Sequence, residues 1–155
     1  HRIAFRNPDR RRPRFRADDD KAFAFLGRLI EDKEPRLLLE AYVLAESMAG
    51  GKQLPELWFI GDGPVPLPVP ADSRILQLGS LEPDAASRLL RDDVIAVVCP
   101  GYVGLNAVHS IANGVPFVYS VRSDNSPESE YLTPGTNSYE FVAGSVESLA
   151  DTLLA

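Results

Sequence analysis

A glycine-containing segment in the second half of the chain has the spacing of an anion-binding loop. The apolar run Val94–Cys99 is typical of a strand that is buried on both faces of a parallel sheet. Pro100 and Gly101 end this strand. Gly104 completes a tight turn, and apolar residues at helical spacing follow until Gly114 ends the predicted helix. Glycines allow a phosphate or sugar to approach closely, and the first N–H groups of such a helix favour anionic ligands.

Two cationic side chains follow an earlier apolar run. Residues 21–26 are predicted to form the first strand, Gly27 closes it, and Arg28 and Lys33 lie on the loop that follows. Because the carboxyl ends of parallel strands share one edge of a sheet, we expect both cations near the glycine loop. Fixed cations and helix N-termini stabilise the negative charge of a bound anion. A solvated pair of loop charges is the alternative interpretation.

Three further residues have chemistry to consider. His109 lies on the second turn of the predicted helix, where it is either packed and hydrogen-bonded or in contact with a ligand. Glu128 follows Pro127 at another predicted helix start, where it faces the site or complements the helix dipole. Cys99 ends a strand, and we predict a buried thiol rather than a nucleophile.

Several kinds of site are not indicated by the sequence. The histidines are His1 and His109, and no Asp, Glu and His cluster has metal-ligand spacing, so we predict no protein-held metal and no tightly bound cofactor. The single cysteine excludes an internal disulfide and a cysteine-rich zinc site. The nucleophile elbow G-x-S-x-G and the phosphate loop G-x-x-x-x-G-K-[ST] are both absent.

Short apolar strands alternate with helical segments along the chain. Strands are predicted at 21–26, 57–60, 75–78, 94–99, 115–119 and 139–142, and helices at 35–50, from 83, at 105–112, from 127 and at 146–155. This alternation predicts an α/β fold, a Rossmann-like doubly wound parallel sheet of about six strands with helices on both faces.

Composition and charge limit the possible classes of protein. The chain has 155 residues, 45% of them hydrophobic, and no apolar run approaches the ~20 residues that span a bilayer. No signal peptide is visible, so a cytoplasmic location is expected. Residues 1–20 carry a net charge of +3 and the remainder −9. We interpret 1–20 as an arginine-rich lead or interdomain connector and 21–155 as one domain, and the acidic remainder argues against a nucleic-acid binder.

The order and spacing of several short motifs resemble the donor-binding domain of retaining GT-B glycosyltransferases of family four. The family motifs G-R-L, K, L-L-x-A, G-x-G-P and L-G are matched in order by 27–29, 33, 38–41, 61–64 and 78–79. The frame E-G-F-G, four residues, E-A-x-A-x-G-x-P is matched by 101–104 and 109–116. Gly101 and His109 therefore stand where the two glutamates of the E-x(7)-E pair normally are. Some bacterial exopolysaccharide and lipopolysaccharide transferases look like this version, including a later S-P-E, here 126–128.

The resemblance implies a role for each candidate residue. Arg28 and Lys33 would bind the donor diphosphate. The donor sugar and phosphate would contact the loop Gly101, Tyr102, Val103, Gly104 and Leu105. His109 would bind the ribose, and Glu128 would contribute to the donor site. An imidazole offers the ribose diol fewer acceptors than a carboxylate, so its grip is expected to be weaker. Gly101 lacks the glutamate side chain that would contact the donor sugar in the family.

The function implied is that of the nucleotide-sugar-binding domain of a retaining glycosyltransferase, one that builds bacterial surface polysaccharide. The resemblance covers only the carboxyl-terminal half of such an enzyme. The amino-terminal acceptor-binding domain is missing from this chain, which alone is expected to bind donor and transfer nothing. Peripheral membrane association of the full-length protein is a further expectation. Two alternatives stay open, half of a nucleotide-sugar epimerase and a degenerate, non-catalytic GT-B-like binding or interaction module.

Overall fold

The computed structural model describes residues 21–120 and 137–154. In these ranges the strands are β1 (Ala22–Leu26), β2 (Leu57–Ile60), β3 (Ile75–Gly79), β4 (Val94–Cys99), β5 (Phe117–Ser120) and β6 (Ser138–Phe141). The helices are α1 (Pro35–Met48), α2 (Pro83–Asp93), α3 (Leu105–Ala112) and α4 (Val146–Leu154), and a 3-10 turn spans Glu31–Lys33. The arginine-rich lead 1–20 and the predicted helix start at Pro127 and Glu128 lie outside the described residues.

The six described strands form one sheet in the order β3-β2-β1-β4-β5-β6, and every neighbouring pair is parallel. The chain first builds outward from β1 through β2 to β3. It then returns to place β4 on the other side of β1 and continues to β6. This reversal next to β1 is the switch point at which open α/β sheets bind ligands. The predicted Rossmann-like parallel sheet is confirmed.

The residues of β1 alternate between two hydrophobic cores on opposite faces of the sheet. Phe23 and Phe25 belong to one core, whereas Ala22 and Ala24 belong to the other. The first core contains Leu38, Tyr42, Leu149 and Leu153 from α1 and α4, and the second contains Leu89, Leu90 and Ala107 from α2 and α3. Helices therefore cover both faces, as predicted.

The start of β5 differs from the sequence prediction. β5 begins at Phe117 rather than at residue 115, because Val115 N–H donates to Ser110 O and closes the end of α3. No helix among the described residues is long and apolar enough to cross a bilayer.

Candidate functional site

The candidate site lies at the carboxyl edge of the sheet, where the chain reverses direction. Because β1 pairs with both β2 and β4, the loops that follow these three strands meet at this edge. A cavity of about 370 Å³ opens there. Four of the residues predicted from the sequence line it, namely Arg28, Lys33, Leu105 and His109. Residues that are up to 81 positions apart in the sequence thus share one cavity.

Arg28 lies on a loop that is fastened to the loop after β2. The N–H of Leu29 donates to Asp62 O at 3.0 Å. Gly61 approaches the first loop so closely that a Cβ on it would lie 2.8 Å from the carbonyl carbon of Gly27. The side chain of Arg28 is exposed. The backbone of this loop is therefore fixed, while the guanidinium can reach a ligand in the cavity.

Lys33 ends the 3-10 turn, and its ammonium lies beside the glycine loop. Nζ donates to Tyr102 O at 3.2 Å and lies 5.3 Å from the centroid of the Tyr102 ring. A Cβ on Gly104 would be 3.5 Å from Nζ. An ammonium has three N–H donors, and the Tyr102 carbonyl occupies one of them. Lys33 therefore keeps donors for an anion while one hydrogen bond holds it in place.

Gly101 is enclosed by the 3-10 turn, a contact that sequence reasoning missed. The N–H of Tyr102 donates to Asp32 O at 2.9 Å. A Cβ on Gly101 would lie 2.7 Å from the carbonyl carbon of Lys33 and nearer still to Asp32 O. Both obstacles are backbone atoms, which cannot move aside as a flexible side chain can. Position 101 therefore has no room for a side chain.

The glycine loop presents N–H groups to the cavity through the start of α3. Ala107 N–H donates to Gly104 O at 3.2 Å, and Gly104 N–H donates to the side chain of Asn106. The N–H groups of Leu105 and Asn106 have no acceptor among the described residues. Such groups at a helix N-terminus attract an anion. Of the predicted loop only Leu105 lines the cavity, and Val103 is fully buried beneath it.

His109 lies one helical turn after Leu105 and also lines the cavity. Its side chain is exposed rather than packed against a core. The ribose contact stays a prediction. Glu128 lies outside the described residues, and its predicted role at the donor site also stays a prediction.

Three polar residues of the cavity were not among the predicted site residues. Asp62 and Ser80 follow β2 and β3, and Asn106 is the second residue of α3. Position directly after a strand was the available signal for the first two, because parallel strands end at a common edge. For Asn106 the signal was a polar residue on the otherwise apolar start of a helix. Within 21–120 and 137–154, no group of three or more His, Cys, Asp or Glu side chains could hold a metal ion.

Comparisons with known proteins concern the fold. No protein-family model matches the chain, and comparison with curated protein sequences finds no match. Solved structures do match. A variant of TarM from S. aureus superposes on 88% of this chain with a TM-score of 0.69 and 17% identity. HepE from Anabaena superposes on 94% of this chain with a TM-score of 0.67 and 16% identity. The fold is that of a GT-B glycosyltransferase domain.

The GT-B likeness extends to isolated domains. The C-terminal domain of LpcC, a group 1 family glycosyl transferase from Francisella tularensis, matches 86% of this chain with a TM-score of 0.65 and 17% identity. The chain spans 73% of that domain, but only 28% of TarM and 41% of HepE. The TarM structure contains UDP, α-GlcNAc-glycerol and fondaparinux, and the HepE structure contains UDP and glucose. The chain therefore has the size of one domain of these larger proteins.

Proposed function

We propose that this GT-B domain binds the nucleoside diphosphate part of a nucleotide-sugar donor for a retaining glycosyltransferase. One observation carries the proposal. One cavity at the switch point of the sheet is lined by two residues with cationic side chains and by two residues whose backbone N–H groups have no acceptor among the described residues. The cations are Arg28 and Lys33, and the N–H groups belong to Leu105 and Asn106. A diphosphate is the anion that suits this arrangement, because it can accept from several fixed donors at once.

The same groups suit the chemistry of glycosyl transfer. When the bond between sugar and diphosphate breaks, negative charge develops on the leaving phosphate oxygens. The charges of Arg28 and Lys33 and the dipole of α3 stabilise that charge without any proton transfer. His109 lies one turn along α3 and is exposed to the cavity, and we assign it to the ribose hydroxyls. We assign donor-sugar contacts to the loop 101–105.

The proposal extends to the donor, to the rest of the protein and to its role in the cell. TarM and HepE were solved with UDP, which supports a nucleotide-sugar donor here. Because the chain spans less than half of either protein, we propose that an acceptor-binding domain is supplied elsewhere and that this domain alone does not transfer sugar. We further propose that the protein acts in bacterial surface polysaccharide synthesis, on the cytoplasmic side at the inner face of the membrane. For residues 1–20 we propose the role of a connector between domains.

The proposal is tested by titrating the chain with UDP, GDP, dTDP, ADP and inorganic pyrophosphate. Binding is followed by calorimetry and by the melting temperature, because a ligand stabilises the state that it binds. We expect pyrophosphate and at least one nucleoside diphosphate to bind, and the preferred base to become apparent. A chain that binds none of them would contradict the proposal and favour a non-catalytic interaction module.

The two cations can be tested individually. We expect Arg28→Ala and Lys33→Ala each to weaken binding of the preferred nucleoside diphosphate by about 1 to 3 kcal/mol, the range for hydrogen bonds to charged groups. Binding of the corresponding nucleoside should change little. Arg88→Ala and Lys52→Ala, which remove exposed cations outside the cavity, are the matched controls. Equal losses for nucleoside and diphosphate would remove the proposed role of the pair.

A further inference from the structure

Asn106 is a buried polar residue whose side chain joins three parts of the site. It is only 9% exposed. Its Oδ1 accepts from Gly104 N–H at 3.1 Å, and its Nδ2 donates to Leu26 O at 3.4 Å and to Cys99 Sγ at 3.5 Å. The amide therefore connects the glycine loop to the carboxyl ends of β1 and β4.

These bonds continue to the ammonium of Lys33. The Cys99 thiol donates to Tyr102 O at 3.2 Å, and the same carbonyl accepts from Lys33 Nζ at 3.2 Å. An unbroken series of contacts thus runs from Asn106 through Cys99 and Tyr102 to Lys33. In a buried setting the members of such a network hold one another in place, and losing one leaves its partners unsatisfied.

The side chain of Asn106 also decides which N–H groups remain for a ligand. Because Oδ1 occupies Gly104 N–H, the groups at the start of α3 that have no acceptor within 21–120 and 137–154 are those of Leu105 and Asn106 itself. A neutral amide does this without placing a negative charge beside the phosphate site. Asparagine suits the position because it accepts from one loop group and donates to strand-end groups at the same time.

We propose that Asn106 is a positioning residue, which fixes the glycine loop and, through Tyr102 O, the ammonium of Lys33 in the arrangement that binds a diphosphate. The inference rests on the proposed function, because it concerns the same ligand. Asn106 acts through its neighbours. Its loss should therefore affect the phosphate part of the ligand far more than the nucleoside part.

The test compares Asn106→Ala with Asn113→Ala, at the two ends of α3. Asn113 lies outside the cavity, where its Nδ2 donates to His109 O and its Oδ1 accepts from Arg91 Nη1. The probes are inorganic pyrophosphate and the preferred nucleoside diphosphate and nucleoside of the wild-type chain. We expect Asn106→Ala to weaken binding of both phosphate probes at least tenfold, to leave nucleoside binding within twofold, and to shift the NMR signal of the Gly104 amide. Asn113→Ala should change none of these.

A double variant tests the link to Lys33. If Asn106 positions Lys33, the loss of pyrophosphate affinity in Lys33→Ala/Asn106→Ala should be smaller than the product of the two single losses. Asn106→Asp, which keeps the acceptor for Gly104 N–H and removes both donated bonds, replaces the alanine variant if that variant does not fold. It should also lose at least tenfold.

Three results would overturn the inference. The first is an unchanged pyrophosphate affinity in a folded Asn106 variant, and the second is an equal loss of affinity for nucleoside and diphosphate. The third is a loss of affinity in the double variant that equals the product of the two single losses. A wild-type chain that binds neither pyrophosphate nor any nucleoside diphosphate would instead show that the proposed function itself has failed. The two failures are therefore distinguishable.

Discussion

Gly101 shows how the surroundings of a single residue decide which side chains a site can contain. Any Cβ at this position meets the backbone of the 3-10 turn. We therefore expect Gly101→Ala and Gly101→Glu to lower the free energy of unfolding by similar amounts, about 1 to 3 kcal/mol, because the obstacle is met at Cβ. Urea denaturation measures the effect. A Gly101→Glu variant that is as stable as the wild type would show that the turn moves aside easily.

His109 differs from Gly101 because its side chain is exposed to the cavity. A glutamate there meets no desolvation penalty, so His109→Glu should leave the melting temperature unchanged. If the ribose assignment is correct, two carboxylate acceptors for the ribose diol should tighten nucleotide binding by about 1 kcal/mol, roughly fivefold. His109→Gln, of similar size but neutral, is the control. Weaker binding by the glutamate variant, with the glutamine variant unchanged, would place phosphate rather than ribose next to position 109.

At the scale of elements, β5 and β6 are joined by a hydrogen bond between Tyr119 and Glu140. The phenol donates to Glu140 Oε2 at 2.9 Å. Burial, followed by this hydrogen bond, raises the pKa of Tyr119 from its ordinary value near 10 to about 12. The folded state thus favours the neutral phenol. Its contribution to stability is complete below about pH 10 and is lost as the pH rises toward 12.

This shift predicts how stability depends on pH. Between pH 10 and 12 the free energy of unfolding of the wild-type chain should fall more steeply than that of Tyr119→Phe, which has no phenol to ionise at this position. Tyr139→Phe, on the exposed side of β6, is the matched control and should follow the wild type. The measurement is denaturant unfolding at several pH values. Parallel curves for wild type and Tyr119→Phe would contradict the assignment.

The elements themselves were predictable, but the contacts between their loops were not. Strands such as β2 and β4 are short apolar runs, a signal that is present in the local sequence. The bond from Lys33 to Tyr102 O joins residues 69 positions apart, and that from Asn106 to Leu26 O joins residues 80 apart. No local pattern encodes such pairs. The sequence therefore predicted two of the segments that line the cavity, the loop after β1 and the start of α3. The closure of position 101 and the network of Asn106 become visible only in the folded chain.

The whole molecule is organised around strands that serve both cores. Because β1 contributes alternate side chains to each face, neither core can form without the sheet. We expect one cooperative unfolding transition. The fluorescence of Trp58, the single tryptophan, which is buried in the core beneath α2 and α3, should report the same midpoint as far-UV circular dichroism. Separate midpoints would indicate that the two faces unfold independently.

The enclosure of Gly101 also restricts the evolutionary paths that are open to this chain. A glutamate can enter at position 109 by substitution alone, because the space around it is open. At position 101 the same substitution has to wait until the 3-10 turn has withdrawn, and that withdrawal breaks the bond between Tyr102 and Asp32. Each step alone is unfavourable, so the two changes are epistatic. Descendants of this sequence are therefore expected to acquire a glutamate at position 109 far more readily than one at position 101.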